Sequence, residues 1–188
     1  MTERGFNKLY WGFLFTMLGF RIQGFDILPD IVGYLFFAAG FRSLVSSSKY
    51  FSIAARYNIF MIILSIFTIY QEPVQSGGIN LGQWGLFSIP IAIASFVLDL
   101  LVVYNLFMGI KDMAEKQQRD DLVSESDDKW NQYKLLQIAL LCAFIIIFIP
   151  LIGVIYFIAI FVITIILLIG ILGFIRRCNE INALLNDL

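Results

Sequence analysis

The chain has 188 residues, of which 60% are hydrophobic and 14% charged, with a net charge of −1 and no histidine; soluble domains average about 45–50% apolar and about 25% charged. Its thirteen Lys and Arg are scattered, which leaves no concentrated cationic face and excludes nucleic acid as a partner. The missing histidine removes the usual general base and the commonest metal ligand, and Cys142 and Cys178 match no CxxC pattern, so no catalytic group, metal site or cofactor is expected.

Apolar runs of about 17–25 residues, enough to cross about 30 Å of hydrocarbon at about 1.5 Å per residue, recur six times. In chain order they cover roughly 6–24, 27–46, 52–71, 85–110, 132–150 and 153–175. The expected fold is therefore all-α: one domain over residues 1–188, a polytopic membrane protein of six transmembrane helices. The first run follows Glu3, Arg4 and Lys8 and has no small-residue cleavage site at its end, so it reads as a retained helix. Within it Gly5, Gly12 and Gly19 recur every seven residues, each followed by Phe. Together with Thr16 they form a small-residue groove, which marks Gly12, Thr16 and Gly19 as helix-packing candidates.

Between the first two runs lies RIQGFDILPD, one cation and two acids in ten residues. From Phe6 to Ser46 there are about 41 residues for two crossings, so this connection is expected to be a tight hairpin at the membrane boundary. Asp26 is placed to cap the second helix, with Pro29 in its first turn and Asp30 one turn in. Two readings follow. The acids stabilise the helix amino terminus by about 0.3–1 kcal/mol each, one of them pairing with Arg21; or Arg21, Asp26 and Asp30 line an outward-facing pocket for an anionic group, a cation or a proton.

Further along, the segment 71–84 is rich in turn formers and carries no cation, as an outer loop would. Asp99 falls near the middle of the fourth run, with Ser88, Ala92 and Ser95 on about the same helical face. An acid at that depth costs about 2.5–3.5 kcal/mol on insertion scales unless it is protonated or paired inside a bundle. It either bonds a Ser or Asn of a neighbouring helix or couples to an ion or proton. An aspartic protease would need a second carboxylate at its side, and the third, fifth and sixth runs offer none.

The polar stretch 111–131, KDMAEKQQRDDLVSESDDKWN, is expected to extend the fourth helix through its Asp112–Lys116 and Glu115–Arg119 spacings and then to form a cytoplasmic loop. From Leu135 to Ile175 about 41 apolar residues are interrupted only at Pro150–Gly153, which implies a hairpin of two helices. Sorted onto these segments, every basic residue except Arg21 falls on one side, which places both termini in the cytoplasm. Tyr10, Trp11, Trp84, Trp130 and Tyr133 fall at predicted helix ends, as interfacial aromatics do.

The stretch FRIQGFDILPDIVGY, from Phe20 to Tyr34, resembles a segment of small, uncharacterised six-helix membrane proteins of Gram-positive bacteria. The resemblance covers about the first 45 residues. It implies a multi-pass protein of the bacterial cytoplasmic membrane and brings no activity with it. In size and predicted spans the chain is also similar to the substrate-binding membrane components of energy-coupling-factor vitamin transporters, although Gly12, Thr16 and Gly19 stand where those proteins carry an alanine-spaced motif.

The expected function is that of a non-enzymatic integral membrane protein that binds or transports a small solute or ion, using Arg21, Asp26 and Asp30 from outside and Asp99 within. The alternative is an accessory, immunity-type or regulatory subunit that meets a membrane or cytoplasmic protein partner through residues 111–131. No nucleotide-binding loop is present in the sequence.

Overall fold

The computed structural model describes residues 2–17, 21–22, 25–26, 30–68, 88–146 and 149–186. Six helices and one minimal hairpin make up these residues: α1 (Thr2–Met17), β1 (Arg21–Ile22), β2 (Phe25–Asp26), α2 (Asp30–Leu44), α3 (Lys49–Thr68), α4 (Ser88–Lys116), α5 (Asp120–Ile146) and α6 (Pro150–Asn186). Each helix packs on its neighbours in the chain, and α6 returns to α1. The six therefore form a closed ring.

The all-helical class agrees with the sequence, but the expectation of six transmembrane spans does not survive. Among the described residues only Ile89–Lys116 and Leu151–Ile181 are both long and apolar enough to cross a membrane. The reasons differ from helix to helix. With 16 and 15 residues, α1 and α2 rise only about 24 and 22 Å, short of a hydrocarbon core of about 30 Å. The 20 residues of α3 include Lys49, Tyr50, Arg56 and Asn58. In α5 the length is sufficient, but its first half is occupied by Asp120, Asp121, Glu125, Asp127, Asp128 and Lys129. The assignment of both termini to the cytoplasm rested on six crossings and falls with them.

The two qualifying helices also show the surface that lipid requires. On α6, Leu151, Ile155, Ile158, Phe161, Ile166 and Ile169 are each more than half exposed, as is Ile93 on α4. Contiguous apolar patches of this extent are rare on soluble monomers, where they mark interaction or membrane surfaces.

Inside the ring, one half is filled by rings of phenylalanine. Phe13 of α1 meets Phe37 of α2 edge-on at 5.1 Å and Phe107 of α4 at 6.2 Å, and Phe107 reaches Phe174 of α6 at 6.3 Å. Phe37 stacks on Phe41, which leans on Phe51 of α3 at 6.4 Å. All six rings are essentially inaccessible to solvent. Offset and edge-on aromatic pairs add about 0.5–1.5 kcal/mol each beyond their burial. This column seals one half of the interior and confines polar space to the other.

The α1–α2 contact depends on glycine from both helices. A Cβ at Gly12 would come within 2.5 Å of the Phe37 ring, and one at Gly33 within 2.5 Å of Thr16 Cγ2 and 3.0 Å of the Gly12 carbonyl oxygen. Gly5 meets Leu44 and Gly40 meets Leu9 in the same manner. Gly5 and Gly12 on one helix thus face Gly40 and Gly33 on the other, a seven-residue repeat matched by a second. Small residues on both sides let two backbones approach closely.

The segment 111–131 is not a loop. Helix α4 continues to Lys116 and α5 begins at Asp120, so only residues 117–119 connect them. The turn is a Schellman motif: the Arg119 N–H donates to the Ala114 carbonyl at 3.0 Å and the Gln118 N–H to that of Glu115 at 3.1 Å. Gln118 adopts φ of 55°, the left-handed conformation that glycine usually supplies there. The Arg119 carbonyl then accepts from Leu122 and Val123, starting α5, and the acids Asp120 and Asp121 complement its dipole. Arg119 grips both oxygens of Asp121, which holds that carboxyl down at about 2. What reads as a solvated run of charge is therefore the first half of a helix.

Two outcomes test these contacts. Gly33→Ala should lower the unfolding midpoint in detergent, at a cost of about 1–3 kcal/mol for the forced overpacking, whereas Gly173→Ala, where a Cβ meets nothing within 4 Å, should be neutral or slightly stabilising. Gln118→Gly should raise the same midpoint by relieving a strained turn worth about 1 kcal/mol; a drop instead would show that the turn is held by the glutamine side chain.

Candidate functional site

In the half of the ring that phenylalanine does not fill, Asp99 of α4 faces α5. Tyr133 donates its hydroxyl to Asp99 Oδ2 at 2.5 Å. Gln137, one turn along the same helix, donates its Nε2 to Asp99 Oδ2 at 3.2 Å and to the Tyr133 oxygen at 2.8 Å. Three polar side chains from two helices thus form a closed triangle. The i,i+4 spacing of Tyr133 and Gln137 puts both on the face of α5 that meets α4.

The triangle borders a cavity of about 270 Å³ lined by Thr16, Tyr34, Asp99, Tyr133, Gln137 and Thr164, with Met17, Leu136 and Leu140 completing it. Five of the six helices contribute. Tyr34 stands one turn into α2, its backbone carbonyl fixed by the buried Asn58 of α3, whose Nδ2 donates to it at 2.8 Å. Thr16 and Thr164 donate their hydroxyls back to the carbonyls of Gly12 and Ile160, at 3.0 and 2.8 Å. Their protons are used locally, so they present lone pairs to the cavity.

The donors of the site are largely consumed by its own members. Both bonds to Asp99 fall on Oδ2, and among the described residues Oδ1 accepts none. Gln137 spends its amide N–H groups within the triangle. What remains is a carboxylate oxygen, the two threonine oxygens, the Gln137 carbonyl oxygen and the Tyr34 hydroxyl, which can donate or accept, and among the described residues the lining holds no basic side chain.

The residues singled out from sequence are distributed unevenly around this cavity. Asp99 and Thr16 both line it. Asp30 opens α2, one turn before Tyr34, and lies near enough to Asp99 for the two charges to interact. The backbone register of the β1–β2 hairpin sets Arg21 opposite Asp26, which agrees with the tight hairpin expected for RIQGFDILPD. Asp26 belongs to β2 and α2 is described from Asp30 on; the expected cap of that helix by Asp26, with Pro29 in the first turn, falls on residues 27–29, outside the described residues. Gly12 packs against Phe37 rather than bordering the site, and Gly19 lies outside the described residues.

Tyr34, Tyr133, Gln137 and Thr164 were not legible as site residues. Tyr133 in particular reads as an interfacial aromatic, but it is buried, because α5 begins thirteen residues before it and carries it deep into the bundle. The partner expected for Asp99 was a Ser or Asn; it is a Tyr–Gln pair. The available signal was Gln137 itself, the only amide in the apolar stretch from Leu135 to Ile149 and one helical turn from a tyrosine.

Compared with known proteins, the chain matches no family model, no curated protein and no solved structure. The class that can be stated is accordingly that of the architecture: a ring of six helices, two of them able to cross a membrane, around a carboxylate-centred cavity.

A double-mutant cycle of Asp99→Asn and Tyr133→Phe, read from unfolding in detergent, should give a coupling of about 0.6–1.7 kcal/mol, the range of interhelical hydrogen bonds in membranes. Additive losses would mean that the two side chains do not support one another.

Proposed function

We propose that this protein is a non-enzymatic integral protein of the cell membrane, anchored by α4 and α6, that binds a small cationic solute or ion at Asp99 and serves its passage or sensing. The observation that carries this reading is the acceptor-rich cavity. Among the described residues, a carboxylate oxygen that accepts no hydrogen bond borders about 270 Å³ of space ringed by oxygen atoms and an aromatic wall, and the lining holds no cation. A ligand that brings positive charge and N–H or metal-ion coordination would satisfy these groups together. Tyrosine rings add a favourable surface for an alkylammonium.

Such a role accounts for an acid on a helix that is otherwise apolar. Intramembrane ionisable residues are costly and face a bundle interior or a cavity where they serve function. Asp30, near the same cavity, adds negative charge on the side of the β1–β2 hairpin and would draw a cation inward. Arg21 and Asp26, paired in backbone register, belong to that hairpin and form its entrance in this reading.

A role through protein contacts at residues 111–131 has less in its favour. Three of the four bases of that region are engaged with carboxylates of the chain: Lys111 with Asp127 at 2.6 Å, Lys116 with Asp112 at 2.8 Å, and Arg119 with Asp121. Glu125 is likewise taken by Arg177 of α6. These charges close the end of the bundle on itself.

Equilibrium binding of radiolabelled methylammonium, tetramethylammonium and sodium to the purified protein tests the proposal. At least one should bind saturably, and Asp99→Asn should weaken it by about tenfold or more, the loss of one charge-assisted contact being worth about 1.5–3 kcal/mol. Equal binding by wild type and Asp99→Asn, or none by wild type, would overturn the reading.

A further inference from the structure

On the outer face of the ring, α5 and α6 enclose a second cavity of about 510 Å³. Its walls are Leu135 and Ala139 from α5 and Ile163 and Ile166 from α6, and one end is formed by Lys129, Gln132 and Gly170. The two helices run antiparallel here, Lys129 lying against Gly170 and Ala139 at the level of Ile160. Ten residues on either side give a groove about 15 Å long, polar at one end and apolar along the rest. Beyond it the Tyr156 hydroxyl donates to the Ala139 carbonyl at 2.8 Å, so the helices are tied together where the groove ends.

Lys129 differs from five cations at this end of the bundle. Lys111, Lys116, Arg119, Arg176 and Arg177 each hold a carboxylate. Lys129 is a half-buried residue, and among the described residues its ammonium donates only to the neutral Oε1 of the exposed Gln132, at 3.5 Å. It lies over the bare backbone of Gly170, where a Cβ would come within 3.0 Å of its nitrogen. Gly170 in turn stands about 9 Å along α6 from the Arg176–Arg177 pair and about 28 Å from Leu151, where the stretch able to cross a membrane begins. A cation at the head of an apolar groove, at that level, is complementary to an amphiphile with an anionic head.

We infer that the α5–α6 groove is a binding site for an anionic phospholipid, whose phosphate meets the Lys129 ammonium and the Gln132 amide and whose acyl chain lies along Leu135, Ala139, Ile163 and Ile166. Basic pockets between helices near the membrane surface take lipid head groups in this way. A second copy of the chain fits less well, because it would have to bury Lys129 against an apolar face without supplying a countercharge. The inference rests on the membrane placement proposed above and is independent of what binds at Asp99.

The experiment is native mass spectrometry of the detergent-purified protein titrated with equal amounts of dioleoylphosphatidylglycerol and dioleoylphosphatidylcholine. Wild type should retain the glycerol lipid about tenfold more strongly. Lys129→Gln should lose that preference, Ile163→Trp should lose both lipids by filling the groove, and Lys134→Gln, on a lysine held by Asn131 and Trp130, should behave as wild type. Equal retention of the two lipids by wild type, a preference that survives Lys129→Gln, or displacement of the lipid by soluble glycerol phosphate would each overturn the assignment. So would a dimer abolished by Ile163→Trp, since a second copy would then be the occupant. Lys129→Gln should leave methylammonium binding intact and Asp99→Asn should leave lipid preference intact, so failure at one site is distinguishable from failure at the other.

Discussion

The hydrogen-bonded contact between Asp99 and the Tyr133–Gln137 pair is the interaction on which the arrangement of this bundle turns. A carboxylate on an apolar helix cannot be left facing lipid without a cost of about 2.5–3.5 kcal/mol. It must be turned inward and met by donors, and α5 supplies two of them from one face. That requirement fixes the rotation of α4 about its own axis. With Asp99 inward, Ile93 and Val97 are turned outward, and Val102, Leu106 and Phe107 fall in the core.

A second constraint acts at the opposite side of the ring. Helices α1 and α2 are short, and they approach so closely at Gly12 and Gly33 that side chains there would overlap their neighbours. Close approach brings Phe13 and Phe37 into contact and lets Phe107 and Phe174 complete the column. It also carries Thr16 and Tyr34 to the edge of the cavity, opposite Asp99. The site thus has two supports of different chemistry: polar bonds between α4 and α5, and glycine-permitted packing between α1 and α2. Neither alone would enclose the space.

The charged end of the bundle illustrates how composition and structure can diverge. The acids of 120–128 are dense enough to suggest a solvated loop, but helix formation asks only that charges have somewhere to point. Asp120 and Asp121 stand in the first turn of α5, where Asp121 is held by Arg119, while Glu125 meets Arg177 and Asp127 meets Lys111. Between them Ser126 is buried and returns its proton to the Leu122 carbonyl at 2.8 Å. A helix with one polar face in water and a few inward contacts carries the same residues as a loop, and only the pairing distinguishes them.

Much of the architecture follows from the sequence alone because it depends on local properties. Apolar runs and breakers such as Pro150 locate the helices, an acid among aliphatics marks Asp99, and the seven-residue glycine repeat marks the packing face of α1. The number of membrane-crossing helices was not determined in that way. Apolar content sets whether a segment tolerates lipid, while crossing also needs unbroken helical length, and α1 and α2 lack it. The partners of Asp99 were decided only by the tertiary structure. Tyr133, Gln137, Tyr34 and Thr164 are 34 to 65 residues from Asp99 in the chain. Tyr133 and Gln137 reach Asp99 through the packing of α5 back on α4, whereas Tyr34 and Thr164 join them only because the ring closes, and closure is a property of the packed helices together rather than of any one stretch.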